Sequence, residues 1–443
     1  MTLTIENIGK LTEANIELNG ITVIAGENNS GKSTIGKVLF SVVNGFCDIE
    51  KRIKEERIWD ISRTLEEMLK NYDTLLPVKY ANESADSASI HIEENYATTD
   101  LNKNLREYLI NYFSLSEQVN GQYAFATLYI DAAVEKIQKT FEIADTDIIS
   151  HIFKRSLDNE FGGEILNKHA GKNPASIKFQ HGDNVVKVQI ANIITTSKIA
   201  FSFNKLDYVY INKEAVYIDN PYTLDSVFLR NYQKNSSVSF SRQALSRQTH
   251  LFRCIDDTME SNEGAISSIL KEKQLNQVIE KISTVCNGKL IADTAFGRRE
   301  YSYSEGDYGI SFKMDNVSTG LKTFVIIKAI LQNGGLKEGG ILILDEPEIH
   351  LHPEWQIVLA ELIVLIQKDF GITVLITTHS PYFLDAIEVF SKKYEINEKC
   401  KFYQAKINGN TSTIVDATDD IESIYKTMAR PLQTLENERY AND

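Results

Sequence analysis

The sequence predicts an α/β fold with a mixed β-sheet, interrupted by an inserted region of helices and strands. Three observations predict it. Residues 21–25 form a short β-branched apolar run that precedes a glycine-rich turn and a helical segment. Continuous apolar runs at 341–344 and 372–376 flank another helical segment, as expected for buried parallel strands. Between these two parts, the segments 50–70, 101–115 and 122–142 carry apolar residues at helical spacing.

The composition is that of a large globular protein. The chain has 443 residues, 42% hydrophobic and 24% charged, enough for one large domain or two to three ordinary ones. Its net charge of −14 argues against a surface that coats nucleic acid, although it leaves room for a local basic groove. No apolar run is long enough to span a bilayer, and charged residues interrupt the N-terminal segment, which argues against a secretory signal.

The four cysteines lie far apart in the chain, at Cys47, Cys254, Cys286 and Cys400. Without a C-x-x-C pair, they indicate reduced thiols and neither a zinc site nor a disulfide framework. We therefore expect a cytoplasmic protein without a membrane partner.

The periodicity of apolar residues predicts the remaining elements. Amphipathic helices are expected over 50–70, 101–115 and 122–142, and the polar run 81–87 is typical of a loop. The other predicted elements are short strands at 2–6, 14–18 and 208–211, hairpins at 176–190, 299–314 and 401–415, and helices at 321–333 and 357–368.

One stretch, 226–255, differs in charge from the rest of this acidic chain. It contains five basic residues and no Asp or Glu, and it is rich in Ser, Asn and Gln. It is either a solvated loop or a surface that binds an anion or a partner. The five residues are Arg230, Lys234, Arg242, Arg247 and Arg253.

The turn after the first buried strand fits the phosphate-binding pattern G-x-x-x-x-G-K-[ST]. Its glycines let backbone N–H groups approach phosphate oxygens, and the following helix N-terminus adds partial positive charge. Lys32 is expected to reach the β- and γ-phosphates, and Ser33 to offer its hydroxyl to Mg²⁺. The flanking strand and helix argue against a chance glycine turn. The predicted nucleotide-binding residues are Gly26, Asn28, Asn29, Ser30, Gly31, Lys32, Ser33 and Thr34.

Two carboxylates and a histidine follow the later buried strands. Asp345 ends the strand 341–344 and is placed to hold Mg²⁺, the Walker B role. Glu346 is placed to act as the general base on a water molecule. His379 comes just after the strand 372–376, where it can hydrogen-bond a γ-phosphate.

A fourth motif, Val317-Ser318-Thr319-Gly320, lies at the start of a predicted helix. A Ser at a helix N-cap with a nearby Gly exposes backbone N–H groups to an anion. It cannot easily reach the phosphate bound by its own glycine-rich loop, so we assign Ser318 and Gly320 to the nucleotide of a second copy. A plain helix cap is the alternative.

The order of these motifs resembles that of ABC-type ATPase heads. Two motif sequences resemble those of the branch that contains the RecF, SMC and overcoming-lysogenization-defect (OLD) ATPases. They are Asp345-Glu346-Pro347-Glu348-Ile349-His350-Leu351-His352-Pro353 and Thr378-His379-Ser380-Pro381. Within that branch it looks most like the ATPase subunits of bacterial anti-phage systems of the Septu, retron or PARIS type. The resemblance covers about 1–45 and 285–390 with motifs, and the middle only by architecture.

The resemblance implies a P-loop ATPase head that forms a head-to-tail dimer or higher homo-oligomer with two ATP molecules between the heads. Lys32, Ser33 and Thr34 of one subunit would bind phosphate and Mg²⁺, with Asp345 and Glu346 serving metal and water. Ser318 and Gly320 of the other subunit would close the site. The segment 349–353 matches the D-loop, which lies at the dimer interface in the family.

Two departures from the family pattern stand out. The signature reads Val-Ser-Thr-Gly-Leu where the family has Leu-Ser-Gly-Gly-Gln. The Q-loop glutamine cannot be placed from the sequence. His350 and His352 suggest a metal site, but they stand two apart within the D-loop motif, so we assign them no metal.

The motifs divide the chain into four predicted parts. They are the N-terminal part of the ATPase head with the P-loop (1–48), an inserted helical and β region (49–284), the C-terminal part of the head with the signature, Walker B and histidine motifs (285–400), and a hairpin and tail (401–443). The insertion lacks the heptads of an SMC arm, and the segment after His379 is too short for an OLD-type nuclease domain.

Two functions remain open on the sequence. The first is an ATPase switch subunit that restrains a separate toxic effector, such as a nuclease, in anti-phage defence. The second is a RecF-like repair or recombination ATPase that clamps DNA. The acidic net charge favours the first, and a basic groove from Arg230 to Arg253 would favour the second.

Overall fold

The computed structural model describes most of the chain. The described residues are 1–73, 84–96, 101–112, 122–171, 173–182, 184–190, 201–202, 211, 213–225, 228–229, 246–256, 265–295, 298–305 and 310–440. The first three residues of the predicted strand 208–211, the end of the predicted helix 101–115 and most of the basic stretch 226–255 lie outside them.

The described residues form strands and helices in alternation. The strands are β1 (Thr2–Ile8), β2 (Leu11–Glu17), β3 (Ile21–Gly26), β4 (Ala175–His181), β5 (Asn184–Ile190), β6 (Phe201–Ser202), β7 (Ala215–Ile218), β8 (Phe228–Leu229), β9 (Lys289–Ala295), β10 (Arg298–Glu305), β11 (Ile310–Lys313), β12 (Ile341–Asp345), β13 (Thr373–Thr378), β14 (Cys400–Asn408) and β15 (Thr411–Asp416). The helices are α1 (Lys32–Phe46), α2 (Ile49–Asp73), α3 (Ala85–Tyr96), α4 (Leu101–Tyr112), α5 (Gln122–Glu142), α6 (Asp145–Phe161), α7 (Arg247–Asp256), α8 (Ala265–Ser283), α9 (Thr319–Gln332), α10 (Pro353–Phe370), α11 (Pro381–Lys393) and α12 (Ile421–Tyr440). A 3₁₀ turn, Pro221–Asp225, follows β7.

An eleven-stranded sheet with the order β6-β5-β4-β1-β2-β15-β14-β3-β13-β12-β7 organises the larger unit. Strands β14, β3, β13, β12 and β7 run parallel, whereas β1 pairs antiparallel with both β2 and β4. The sheet is therefore mixed, and the predicted α/β fold class is confirmed. The parallel strands bring the carboxyl ends of β3, β13, β12 and β7 to one edge.

The parallel strands are buried on both faces, which explains their continuous apolar sequences. Leu342 and Leu344 belong to a core with Phe324 of α9 and Leu359 of α10. On the opposite face, α1 packs so closely that a Cβ added to Gly36 would lie 3.0 Å from Ile343 Cγ2 and from Tyr217 Cε2. Gly36 thus sets the distance between the P-loop helix and the strands β12 and β7.

A smaller sheet pairs β10 with β11, β9 and β8, all antiparallel. The pairing of β10 with β11 agrees with the hairpin predicted at 299–314. The hairpins predicted at 176–190 and 401–415 form β4–β5 and β14–β15 of the large sheet.

The chain divides into two compact units. One comprises residues 1–47, 153–232 and 245–443, and the other comprises residues 48–152 with 233–244. The described part of the second unit is helical, with a core of its own that includes Ile61, Leu65, Ile92, Leu109 and Ile137. The strands β4–β7 belong to the larger unit with the sheet. The division into four parts at residues 48, 284 and 400 remains a prediction.

One local prediction is wrong, and one strand lies where the sequence pattern predicts none. The loop expected over 81–87 contains the start of α3, because the Ser84 hydroxyl accepts the N–H of Ser87 and acts as a helix cap. The strand β7 was not predicted, because its four apolar residues lie between Glu214 and Asp219 and show no period of their own. The helices predicted at 321–333 and 357–368 are present, with bounds one to four residues different.

Gly36→Ala should lower the free energy of unfolding. At an open helical position this change would stabilise by up to about 1 kcal/mol. Here the added methyl group meets Ile343 and Tyr217 at 3.0 Å, and overpacking of this kind costs about 1–3 kcal/mol. Urea unfolding at constant m-value measures the change, and a stability equal to or above that of the wild type would contradict the packing argument.

Candidate active site

The glycine-rich loop joins β3 to α1 in the geometry that the motif requires. Asn29 and Gly31 have positive φ values of 62° and 84°. A Cβ on Gly31 would lie 3.0 Å from Leu11 Cδ2 and 3.1 Å from Ser412 Oγ, so both the backbone conformation and the space exclude a side chain. The helix α1 begins at Lys32, so its free N–H groups face the loop.

Side chains of the loop divide into exposed and buried ones. Glu27, Asn28 and Asn29 are exposed, whereas Ser30 and Lys32 are buried. Among the described residues, the Ser30 hydroxyl has no hydrogen-bond partner. A buried, unpaired hydroxyl inside a phosphate-binding loop fits a loop that binds an oxygen-rich ligand.

Lys32 lies within the site and contacts its own loop. Its Nζ donates to the carbonyl oxygens of Gly26 at 3.0 Å and Glu27 at 2.8 Å, and lies 3.7 Å from Glu346 Oε1. Burial lowers the pKa of Lys32, and the carboxylates of Glu346 and Asp345 oppose that shift. The ammonium group is thus held beside the acidic side chains at the edge of the sheet.

Asp345 accepts three hydrogen bonds from three different elements. Its Oδ1 accepts from Ser33 Oγ of α1 at 3.0 Å and from the hydroxyl of Thr377 on β13. Its Oδ2 accepts from the hydroxyl of Tyr217 on β7 at 2.8 Å. The structure therefore brings together the two predicted metal ligands, Ser33 and Asp345, and adds two residues to which the sequence analysis gave no role.

Glu346 stands next to Asp345 in a strained backbone conformation, with φ 51°. Its N–H donates to the backbone oxygen of Thr377 at 3.0 Å and to the Thr377 hydroxyl at 3.2 Å, which holds that conformation. The His379 imidazole, 3.6 Å away, lowers the pKa of Glu346, and burial opposes this shift. As a carboxylate at the strand end, Glu346 is the candidate to accept a proton from water.

His379 is held by a buried glutamate that the motif contains but the sequence analysis did not use. Glu348 is 3% exposed, and its Oε1 accepts the N–H of His379 at 2.9 Å and the hydroxyl of Thr378 at 2.5 Å. His379 Nδ1 lies 3.6 Å from Glu346 Oε2 and from Glu348 Oε1. The nearby carboxylate of Glu346 raises the pKa of His379, and burial raises the pKa of Glu348.

The signature residues lie apart from this cluster. Ser318 is exposed and precedes α9 as its N-cap, without a side-chain cap hydrogen bond. Gly320 is buried against the D-loop, where an added Cβ would lie 3.0 Å from the His350 backbone oxygen and from Leu351 Cδ2. Within the described ranges, no hydrogen bond joins Ser318 or Gly320 to the glycine-rich loop. The predicted site residues therefore form two groups.

A cavity of about 300 Å³ lies beside Asp345 and Glu346. Its lining joins the end of β7 and the 3₁₀ turn to the D-loop and α9, and consists of Ile218, Asp219, Asn220, Pro221, Tyr222, Thr323, Asp345, Glu346, Pro347, Ile349 and His350. Among the described residues, no glutamine lines this cavity; the polar residues at the end of β7 are Asp219 and Asn220. The Q-loop glutamine thus stays unplaced.

The donor set fits Mg²⁺ bound together with phosphates. No group of three or more His, Cys, Asp or Glu in the described part of the chain could hold a metal alone. Ser33 and Asp345 offer two adjacent oxygen ligands, and Mg²⁺ commonly takes few protein ligands beside phosphate oxygens and water. When bound, the ion would neutralise charge on the β- and γ-phosphates. His352 instead accepts the N–H of Glu354 as the N-cap of α10.

Glu346→Gln should keep ATP binding and lose most of the turnover. The amide keeps the shape of the side chain but cannot accept a proton, and loss of a general base costs about 100- to 10,000-fold in rate. Equilibrium binding of a fluorescent ATP analogue and phosphate release measure the two effects. Lys32→Ala is the companion variant and should lose ATP binding itself. Turnover at the wild-type rate in the Gln variant would remove Glu346 from the mechanism.

Residues 1–384 match the family model described as an AAA ATPase domain. The structure is also similar to the SMC head domain from Thermotoga maritima, with 11% identity, a TM-score of 0.38, and coverage of 94% of this chain and 97% of that one. It is similar as well to the Smc head domain from Pyrococcus yayanosii with a coiled coil and joint, with 13% identity, a TM-score of 0.36, and coverage of 97% and 99%. The family match confirms the predicted ATPase and covers most of the sequence, so this chain belongs to the AAA ATPase domain family.

Proposed function

We propose that this ATPase is a switch subunit that works as an ATP-bound head-to-tail dimer and controls a separate effector, a nuclease, in anti-phage defence. The dimer is supported by the separation of Ser318 and Gly320 from the chain's own phosphate-binding loop. A helix N-terminus whose N-cap serine is exposed and makes no side-chain cap hydrogen bond is suited to bind an anion, here the phosphates of an ATP held by a second copy.

The surface around Ser318 has the composition of an interface. Tyr222 is 46% exposed and Ile349 is 36% exposed. The Tyr222 hydroxyl accepts from Thr319 Oγ1 at 3.1 Å, and its ring lies 5.8 Å from that of His350. Aromatic and apolar side chains surrounding a polar anchor are typical of contact surfaces between proteins. We propose that this surface meets the loop of Glu27, Asn28 and Asn29 in the partner copy.

Hydrolysis in this dimer would depend on the side chains already described. Glu346 would take the proton of the attacking water, and His379 would hydrogen-bond the γ-phosphate. Lys32, at 3.7 Å from Glu346, would turn toward the phosphates that compete for it. ATP binding would then hold the closed dimer, and turnover would open it.

The proposed control of an effector rests on the motif sequences at 345–353 and around His379, which resemble those of defence ATPases. The alternative, a clamp on DNA, is little supported by the two described basic residues of the stretch 226–255. Arg247 pairs with Glu160 and Asp219, each at 3.1 Å, and Arg253 pairs with Glu214. These two cations are neutralised within the protein, which leaves less charge for a phosphate backbone. Arg230, Lys234 and Arg242 lie outside the described residues.

Ser318→Arg should block dimer closure while each monomer still binds ATP. The long cation fills the space above the helix N-terminus, where a partner's phosphates would lie, and the wild-type serine does not. The change is made in the Glu346→Gln background, in which ATP should accumulate the dimer. Sedimentation velocity with ATP measures the oligomer, and Ser87→Arg, at an exposed position of α3, is the control. A dimer that persists in the Ser318→Arg protein would contradict the head-to-tail arrangement.

The effector is tested by purification of tagged Glu346→Gln protein from its native host in the presence of ATP. A stoichiometric protein that remains after nuclease treatment, and that is lost from the Lys32→Ala protein, is the expected result. Recovery of DNA without a protein partner would overturn the switch proposal in favour of the clamp.

A further inference from the structure

Tyr217 is a buried side chain that contacts the candidate metal site from a strand with no known motif. It lies on β7, is 1% exposed, and donates its hydroxyl hydrogen to Asp345 Oδ2 at 2.8 Å. The strand β7 pairs with β12 in parallel, with Ile218 opposite Leu344. This register places Tyr217 one residue short of the strand end, beside the carboxylate.

The ring of Tyr217 is fixed on several sides. The ring of Phe40 meets it edge-on, with centroids 6.1 Å apart, and the guanidinium carbon of Arg247 lies 5.2 Å from the ring centroid. Gly36 leaves space for the ring, and an added Cβ there would meet it at 3.0 Å. Arg247 is in turn held by Glu160 and Asp219. The hydroxyl therefore has little freedom to choose another acceptor.

The other oxygen of Asp345 is the one that faces the P-loop. Oδ1 accepts from Ser33 Oγ and from the Thr377 hydroxyl, whereas Oδ2 accepts from Tyr217 alone among the described residues. A carboxylate that ligates a metal with one oxygen keeps its orientation when a second group hydrogen-bonds the other oxygen. Tyr217 is placed to do this for Asp345.

We propose that Tyr217 is a positioning residue for the ATPase reaction. By donating to Oδ2 it turns Oδ1 toward Ser33, so that the two oxygens face Mg²⁺ together with the phosphates of ATP. This inference rests on the metal-binding role of Asp345. In the competing account, Tyr217 is a core residue whose hydroxyl takes the nearest acceptor, and its loss would change stability without changing metal dependence.

Tyr217→Phe separates the two accounts, because it keeps the ring and removes only the donor. The probe is a fluorescent ATP analogue, whose binding is measured in EDTA and again as Mg²⁺ is added. We expect its affinity in EDTA to equal that of the wild type. The Mg²⁺ concentration that gives half of the metal-dependent change in binding should rise by about 10- to 100-fold. The rate of turnover should recover substantially at saturating Mg²⁺.

Tyr403→Phe is the matched control. Tyr403 lies on β14 of the same sheet, is 2% exposed, and its hydroxyl accepts the N–H of Glu17 at 2.8 Å. The change removes a hydroxyl from an equally buried side chain three strands away from β12, so the Mg²⁺ dependence should stay that of the wild type. Urea unfolding of both variants shows whether they are folded and compares their stabilities.

An unchanged Mg²⁺ dependence in folded Tyr217→Phe protein would overturn the proposal. If that variant does not fold, Phe40→Leu replaces it, since this change loosens the ring and keeps the hydroxyl. A smaller rise in the required Mg²⁺ concentration supports the proposal, and no rise overturns it. Asp345→Asn tests the underlying assignment separately. Wild-type Mg²⁺ dependence in that protein would refute the metal-binding role of Asp345, whatever Tyr217 does.

Discussion

The carboxylate of Asp345 is the point on which the rest of the site depends. It accepts hydrogen bonds from α1, β13 and β7, whose donors lie 312, 32 and 128 residues from Asp345 in the sequence. Only the order of the parallel strands brings these donors together, since β13 and β7 lie on either side of β12. Closing so many long chain segments is costly in entropy. The large buried core on both faces of the sheet offsets that cost, and so the site cannot form before the sheet does.

One short segment, 215–225, contacts both Asp345 in the phosphate-binding group and the helix α9 that follows Ser318. Near its start, Tyr217 contacts Asp345. At its end, both carboxylate oxygens of Asp225 accept from Lys322 Nζ, each at 2.6 Å. Lys322 belongs to α9, the helix that Ser318 caps, and is 1% exposed. The lysine is buried while the Asp225 side chain is 24% exposed, so loss of the carboxylate would leave a buried ammonium group without its partner. A shift of α9 would therefore displace the segment that carries Tyr217, whose hydroxyl contacts Asp345.

The sequence predicts the parts of the site that depend on local geometry. A glycine-rich turn between a strand and a helix, or a carboxylate at a strand end, needs only neighbouring residues, and these predictions agree with the described strands and turns. Tyr217 and Thr377 act through the register between strands, which no local pattern encodes. Glu348 stands within a recognised motif, but its role appears only when burial and the N–H of His379 are seen together. The helix α3 was missed because a serine cap and a polar loop have the same composition.

The charges within the site explain why a nucleotide and a metal suit it together. Lys32 of the loop lies 3.7 Å from Glu346, and His379, which follows the neighbouring strand β13, lies 3.6 Å from the same carboxylate. The adjacent carboxylates Asp345 and Glu346 would attract a divalent ion that shares the site with phosphates. The phosphates would in turn draw Lys32 away from Glu346, which would leave that carboxylate next to His379 and available to act on water. The same movement of the Lys32 side chain would thus bind the phosphates and release Glu346 to act as the base.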